Sequence, residues 1–300
     1  MGRLVAFVRL GRPQFLVGGF VLYALGAALA VTGGAPFDGG RYVWGQVVVT
    51  LTQLMTHYSN DYFDLDADRA NLTPTRWSGG SRVLPGGVLA PVVALRAAVT
   101  LLAAATVAAA LLARRAGTAP GGLAAAMIAV AWQYSAPPGR LCARGLGEAA
   151  TALVVTLMVP AFGFLLQARA LAAPVVLAAV LPCALQFAML LAIEFPDAAG
   201  DAAAGKRTLV VRMGALPAAR LYAALTLAGF GALPVWALVG LPARVALAPL
   251  LLAPIAVWQA LRVARGGYGD PNRWGSIAFW SVALLIASAG LELAATVLGA

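Results

Sequence analysis

Nine apolar runs, each close to the roughly 20 residues that cross ~30 Å of hydrocarbon as a helix, limit this chain to an all-α membrane fold. They cover about 14–33, 43–60, 88–112, 118–135, 147–167, 171–194, 215–239, 243–262 and 276–298. Inside a bilayer the backbone must satisfy its own hydrogen bonds, which leaves helices or a closed barrel, and runs of this length are helical. Composition agrees. Of 300 residues, 62% are hydrophobic and 11% charged, against ~45–50% and ~25% in soluble domains. No soluble domain interrupts the series, and the longest polar loop runs from about Asp61 to Gly87. The expectation is one membrane domain over residues 1–300.

The formal charge of +10 is a bias between the two membrane faces. It does not imply a nucleic-acid partner, because the arginines lie between spans. With the N-terminus inside, one set of segments carries Arg3, Arg9, Arg12, Arg69, Arg76, Arg82, Arg140, Arg144, Lys206, Arg207, Arg212, Arg220, Arg262, Arg265 and Arg273. The other set carries Arg41, Arg114, Arg115, Arg169 and Arg244. That asymmetry predicts a multi-pass cell-membrane protein with its N-terminus and first set of loops cytoplasmic. The N-terminus has no short apolar run ending in a cleavage site, so the first span reads as a retained helix. Cys142 and Cys183 are far apart and have no metal-ligand spacing, which argues against a disulfide framework or a thiolate metal site.

The acids carry the chemistry. Seven of the eleven fall in two short segments, Asp61, Asp64, Asp66 and Asp68 in one and Glu194, Asp197 and Asp201 in the other. Both follow an even-numbered span, the second and the sixth, a placement that points to two related bundles. On a continuing helix Asp61, Asp64 and Asp68 fall within roughly 60° of one another, while Asp66 points about 140° from Asp61. Asp197 and Asp201 share a face at i, i+4. Like charges stacked this way destabilise a helix and are costly near hydrocarbon, so a positive partner is required. Oxygen ligands without His or Cys favour a hard cation, Mg²⁺ first, which pairs a few carboxylates with substrate phosphates.

Basic groups follow the acids. Lys206, the only lysine, closes DAAGDAAAGKRT beside Arg207; Arg140 lies in YSAPPGRL with Arg144 just after it; Arg82 lies in GGSRVLPGG. Metal-holding acids surrounded by basic groups suit a diphosphate. Singly, each basic residue reads first as an interfacial anchor, with Lys206 and Arg140 the exceptions because of their motif positions. The lone histidine, His57, precedes Asp61 by one turn and is a candidate for contact with the acidic face.

These motifs resemble the UbiA superfamily of intramembrane prenyltransferases. Asn60-Asp61-x-x-Asp64-x-x-x-Asp68 matches its first aspartate-rich motif, and Asp197-x-x-x-Asp201 followed by GKRTLVVRMG is similar to its second. Arg12-Pro13, GGSRVLP and Tyr134-Ser135-x-Pro137-Pro138-x-Arg140 also resemble family segments, so the likeness covers nearly the whole chain. It implies nine helices around a central cavity capped by the acid-bearing loops. It further implies Mg²⁺ and diphosphate binding by Asn60, Asp61, Asp64, Asp68, Asp197 and Asp201. Tyr134, Ser135, Arg140 and Lys206 are diphosphate partners by the same resemblance, and Arg12 faces the acceptor. GKRTLVVRMG and YSAPPGRL look most like the naphthoate prenyltransferases of menaquinone synthesis, although Glu194-Phe195-Pro196 stands where those carry an Asn-rich approach.

The expected activity is therefore Mg²⁺-dependent transfer from a prenyl diphosphate to an aromatic acceptor such as 1,4-dihydroxy-2-naphthoate. A membrane terpene cyclase keeps the ionisation without the acceptor. An ion-coupled transporter is the reading from another class, disfavoured because the acids sit at helix ends.

Overall fold

The computed structural model of the chain describes residues 2–299, which form helices joined by turns and loops with no β-strand. A short helix α1 (Arg3–Leu10) leads through a turn at Arg12 into α2 (Leu16–Thr32). Next come α3 (Gly39–Phe63), the short α4 (Leu65–Ala70), α5 (Pro91–Ala116) and α6 (Thr118–Gln133). The segments Gly147–Ala168 and Ala173–Glu194 are α7 and α8. Two short helices, α9 (Ala198–Ala203) and α10 (Leu209–Met213), precede α11 (Ala215–Leu238), α12 (Ala243–Ala264) and α13 (Pro271–Val297).

Local chemistry fixes several of these ends. The Asp38 carboxylate caps α3 by accepting from Arg41 N at 2.9 Å. Asp270 caps α13 by accepting from Asn272 N at 3.0 Å, with Pro271 as first helical residue. In α7 a π-helical stretch, Ala152–Met158, immediately precedes the Val159–Ala168 segment that holds Pro160. A proline cannot donate to the helical ladder, and a wider turn beside it re-spaces the bonds.

The long helices close into a ring. It runs α2–α3–α5–α6–α7–α8–α11–α12–α13 and returns to α2. Across the ring α2 and α7 approach at backbone distance: a Cβ on Gly26 would strike the Pro160 carbonyl, and one on Gly163 would strike that of Tyr23. Outward faces are apolar and exposed, as with Val99, Val107 and Leu111 of α5 and Leu251 of α12, which is how a protein dissolved in lipid presents itself.

Seven segments are long and apolar enough to cross a membrane: Arg3–Thr32, α5, α7, α8, α11, α12 and α13. The remaining two expected spans, 43–60 and 118–135, are α3 and α6. With 16 residues α6 is about 24 Å long at 1.5 Å per residue, short for a full crossing. Twenty-five residues make α3 long enough, but Thr52, Gln53, Thr56, His57 and Asn60 line an internal cavity and lower its apolar character.

At one end of the ring the two acidic segments meet. The chain leaves helical geometry at Asp64 (φ −96°, ψ 6°) between α3 and α4, and Asp197 immediately precedes α9 after α8. The first acidic segment is therefore kinked, which corrects the expectation of one continuing helix. The helical bonds Asp64 N to Asn60 O and Asp68 N to Asp64 O persist through the kink at 2.9 Å each. The short helices α4 and α9 pack against each other, and α1 lies beside α3, with the Tyr58 hydroxyl donating to the Phe7 carbonyl at 2.8 Å.

Candidate active site

A cavity of about 230 Å³ opens beneath this cap. At its polar end stand Arg12, Asn60, Asp64, Asp68, Tyr134, Asp197, Asp201 and Lys206. These are eight of the residues expected from sequence, brought together from four separate segments. The kink leaves the facing of the first motif intact: Asp61, Asp64 and Asp68 are buried, whereas the Asp66 side chain is 91% exposed and pairs only with Arg69 at 3.7 Å.

The carboxylates are held in a network. Arg12 Nη2 donates to Asp61 and, at 3.0 Å, to Asn60 Oδ1. Ser81 Oγ also donates to Asp61, whose side chain sits behind the cavity wall. Asn60 Nδ2 donates to Asp64 Oδ2 at 2.6 Å and to Ser135 Oγ at 3.1 Å. Lys206 Nζ lies 2.9 Å from Asp64 Oδ2 and 3.4 Å from Asp201 Oδ1, and so joins the two motifs. Asn71 Nδ2 and Gly79 N donate to Asp197 at 2.6 and 3.1 Å.

Five aspartates, Asp61, Asp64, Asp68, Asp197 and Asp201, thus stand around two cations, Arg12 and Lys206. Burial pushes Asp68 up to about 8 and Asp201 to about 6. Burial also raises Asp197, against the Gly79 N–H that favours its anion. Burial works against the charge on Lys206, but Asp64 and Asp201 hold it protonated well above its usual range.

Asp68 Oδ2 is buried with no hydrogen-bond partner among the described residues, and it faces Gly80 so closely that a Cβ there would overlap it. An excess of carboxylate oxygens, one of them unpartnered in a walled recess, fits a hard divalent ion. No three His, Cys, Asp or Glu groups among the described residues converge as a complete metal cage. Mg²⁺ does not need one, because it keeps waters and takes substrate phosphates alongside one or two carboxylates.

The other expected residues lie elsewhere. Ser135 braces Asn60 from behind. Arg82, in left-handed conformation at φ 62°, turns its guanidinium to the Asp68 backbone carbonyl and braces the kink. Arg140, Arg144 and Arg207 are exposed and do not line the cavity; Arg144 donates to the Pro138 carbonyl at 2.9 Å. His57 makes no hydrogen bond to the acids and instead lies near Phe15, 6.1 Å between ring centroids.

Sequence reasoning passed over Asn71, Ser81 and Cys142. The Cys142 thiol, pushed up to about 12 chiefly by burial and then by Asp64, stays protonated and sits 3.8 Å from Asp64 Oδ1. Only Ser81 carried a signal, its place between the Gly79-Gly80 pair and Arg82. Glu194 was seen as acidic but not placed in the site; it too lines the cavity, with Oε2 unpartnered among the described residues.

The exposure contrast gives a direct test of this geometry. Asp66→Asn is expected to leave turnover within about twofold of wild type, as surface changes do, while Asp68→Asn removes an inward carboxylate and most of the activity. Equal loss in both, assayed on purified protein, would contradict the facing described above.

Residues 20–289 match the model of the UbiA prenyltransferase family. The chain belongs to this family. Solved structures with the same fold include the apo form of a UbiA homolog from Aeropyrum pernix K1, 16% identical with a TM-score of 0.68, over 95% of this chain and 98% of that one. A UbiA homolog from Archaeoglobus fulgidus bound to GPP and Mg²⁺ is 17% identical with a TM-score of 0.65, over 96% and 99%. A structure of digeranylgeranylglyceryl phosphate synthase is 16% identical with a TM-score of 0.64, over 100% and 99%. No curated protein matches the chain significantly. As a UbiA-family protein the chain is a multi-pass membrane enzyme of the prenyltransferase class, which sets the transporter reading aside. At these identities the solved structures speak for the fold.

Proposed function

We propose that this protein is a Mg²⁺-dependent intramembrane prenyltransferase that moves an isoprenyl group from a prenyl diphosphate to an aromatic acceptor, 1,4-dihydroxy-2-naphthoate or a related aromatic acid. The observation that carries the reading is the juxtaposition of five carboxylates and Lys206 at one end of a cavity whose other end is apolar. The Archaeoglobus fulgidus homolog bound to GPP and Mg²⁺ supports the same pairing of ligands here. The arginine asymmetry supports a cytoplasmic cap.

Asp64, Asp68, Asp197 and Asp201, with Asn60 and Asp61 as their support, would hold the metal. An ion held there would supply Lewis-acid stabilisation of the charge that grows on the departing diphosphate. The chain's own part is threefold. Lys206 offers an ammonium to the leaving diphosphate. Asn60, Ser81 and Asn71 hold the carboxylates so that no reorganisation is needed as charge develops. The apolar walls of Met127, Val154, Val155, Met189, Leu190 and Leu285 keep water from the allylic carbon once its C–O bond electrons have left with diphosphate. The ring then attacks through carbon and loses its ring proton to restore aromaticity.

Metal binding should be proton-linked. The raised Asp68 and Asp201 mean that the folded protein without metal holds more protons than the unfolded chain, whose aspartates titrate near ~4. Their contribution favours the fold at low pH and is lost as pH rises through about 6 and then about 8. Mg²⁺ replaces those protons. The increase in melting temperature on adding Mg²⁺ is therefore expected to be larger at pH 8 than at pH 6, measured by differential scanning fluorimetry; a shift independent of pH would count against these carboxylates as ligands.

The deciding experiment is mass spectrometry of products from purified protein given Mg²⁺, prenyl diphosphates of several lengths and a panel of aromatic acceptors. A prenylated arene supports the proposal. A cyclised hydrocarbon formed without acceptor would replace it with a terpene cyclase.

A further inference from the structure

The N-terminal segment holds more helix than a crossing needs. Arg3–Thr32 has 30 residues, about 45 Å of helix at 1.5 Å per residue, against ~30 Å of hydrocarbon. The chain breaks this length after Leu10, and Arg12 adopts a left-handed φ of 44°. The 17 residues of α2, about 25 Å long, carry the crossing. That leaves α1 with no span to complete.

Three contacts fix where α1 lies. The Phe7 carbonyl accepts from the Tyr58 hydroxyl at 2.8 Å. A Cβ on Gly11 would stand 3.1 Å from Leu54 and 3.4 Å from Tyr58. Arg12, directly after, donates to Asn60 and Asp61. The inward face of α1, Ala6 and Leu10, is fully buried in one cluster with Tyr58, Leu65, Val83 and Ala94. Those four come from the end of α3, from α4, from the loop after it and from the start of α5. The helix is thus clasped to the cap end of the ring, where hydrocarbon gives way to the acidic segments.

Its opposite face is uncovered. Leu4, Val5 and Val8 fall within roughly 100° of one another on a helix, and they are 76%, 60% and 53% exposed. Arg3 and Arg9 stand on either side of this face, exposed and in no ion pair among the described residues. No acidic residue precedes Asp38 in the sequence. Apolar side chains between two free guanidiniums, at the edge of a membrane-spanning ring, complement a surface that is apolar below and anionic above. The face is also continuous with the lipid-covered outside of the ring, so the same bilayer reaches it.

We infer that α1 is an interfacial helix that binds the anionic surface of the leaflet on the cap side. Leu4, Val5 and Val8 enter the boundary between headgroups and acyl chains, and Arg3 and Arg9 engage the phosphates of anionic phospholipids. This contact differs from that of the spans, which meet hydrocarbon and recognise no charge.

The test uses the full chain in lipid nanodiscs of phosphatidylcholine, alone or in equal mixture with phosphatidylglycerol. A nitroxide is attached at Val5→Cys or Val8→Cys, and at Val107→Cys on the exposed side of α5 as a hydrocarbon reference. Leu4→Cys, on the same face, replaces either α1 variant that does not express. Cys142 is buried, and the unsubstituted chain supplies the background from it and from Cys183. Relative access to oxygen and to a water-soluble nickel complex reads depth. In the mixed discs positions 5 and 8 are expected about 5–10 Å into the boundary, clearly shallower than position 107. Charge recognition is read from the ratio of detached to immersed label. Arg3→Gln and Arg9→Gln should each raise that ratio about fivefold, and removing the anionic lipid should raise it by on the order of tenfold or more. Added salt should act in the same direction.

Labels at 5 and 8 as deep as position 107 would make α1 part of the span, and water-like access would leave its outer face off the membrane. Either result overturns the inference. Spin–spin coupling between copies would assign the face to a second chain and overturn it as well. A detached fraction equal in both lipid mixtures and in the arginine variants would remove the anionic phospholipid as ligand.

Discussion

Alanine at Asp64 or at Asp201 is expected to lower kcat by at least on the order of 10²–10³-fold, the scale of losing one preorganised charge-stabilising group. Each carboxylate belongs to a different motif, and Lys206 touches both. A diphosphate held between the motifs would therefore lose one of its two supports in either variant. Asp64→Ala also frees Asn60 Nδ2, now committed to Asp64 at 2.6 Å, so the metal-binding recess is disturbed as well as depleted. Folding can be read separately, from detergent-solubilised yield and from the melting transition. Addition of EDTA to wild-type enzyme should reproduce the loss. Near-normal turnover in either variant, with EDTA also without effect, would remove the two-motif metal site.

The acidic site was legible because acids are scarce in a membrane chain and costly there, so their clustering and helical phase carry information. The inward set Asp61, Asp64 and Asp68 and the outward Asp66 follow from angle arithmetic, and a kink at Asp64 does not reverse them. The arginines were less readable. Arg82 and Arg207 stand near the acids along the chain, and Arg140 and Arg144 lie in or beside the YSAPPGRL segment that resembles the family. Yet side-chain direction in a loop depends on backbone conformation, and Arg82 and Arg140 adopt left-handed φ values of 62° and 46° that spacing does not reveal. The polar face of α3 was hidden for another reason. Gln53 and His57 lie inside a segment read as a membrane span, where hydropathy averages over its two faces. Only the closure of the ring shows that one face of α3 meets a cavity. The same averaging explains why α3 falls outside the set of helices apolar enough to cross a membrane, although its length suffices.

Lys206→Met is expected to reduce kcat by on the order of 10²-fold, and Lys206→Arg by a smaller but clear factor. The ammonium has three N–H donors and two are directed at Asp64 and Asp201, 2.9 and 3.4 Å away, which leaves one for a diphosphate oxygen. A planar guanidinium spreads its charge over a fork and cannot occupy the same point between two carboxylates from different helices. In a chain that otherwise uses arginine for every fixed positive charge, a lysine at this position matches that geometry. An interfacial anchor would tolerate arginine freely, since both side chains reach the headgroups. The metal dependence separates the remaining possibilities. Removing a cation from beside the carboxylates should leave the apparent affinity for Mg²⁺ unchanged or tighter, by simple Coulomb repulsion, even as kcat falls. Weaker Mg²⁺ binding in Lys206→Met would instead assign the lysine to holding Asp64 and Asp201 in place, and full activity in that variant would leave it as an anchor alone.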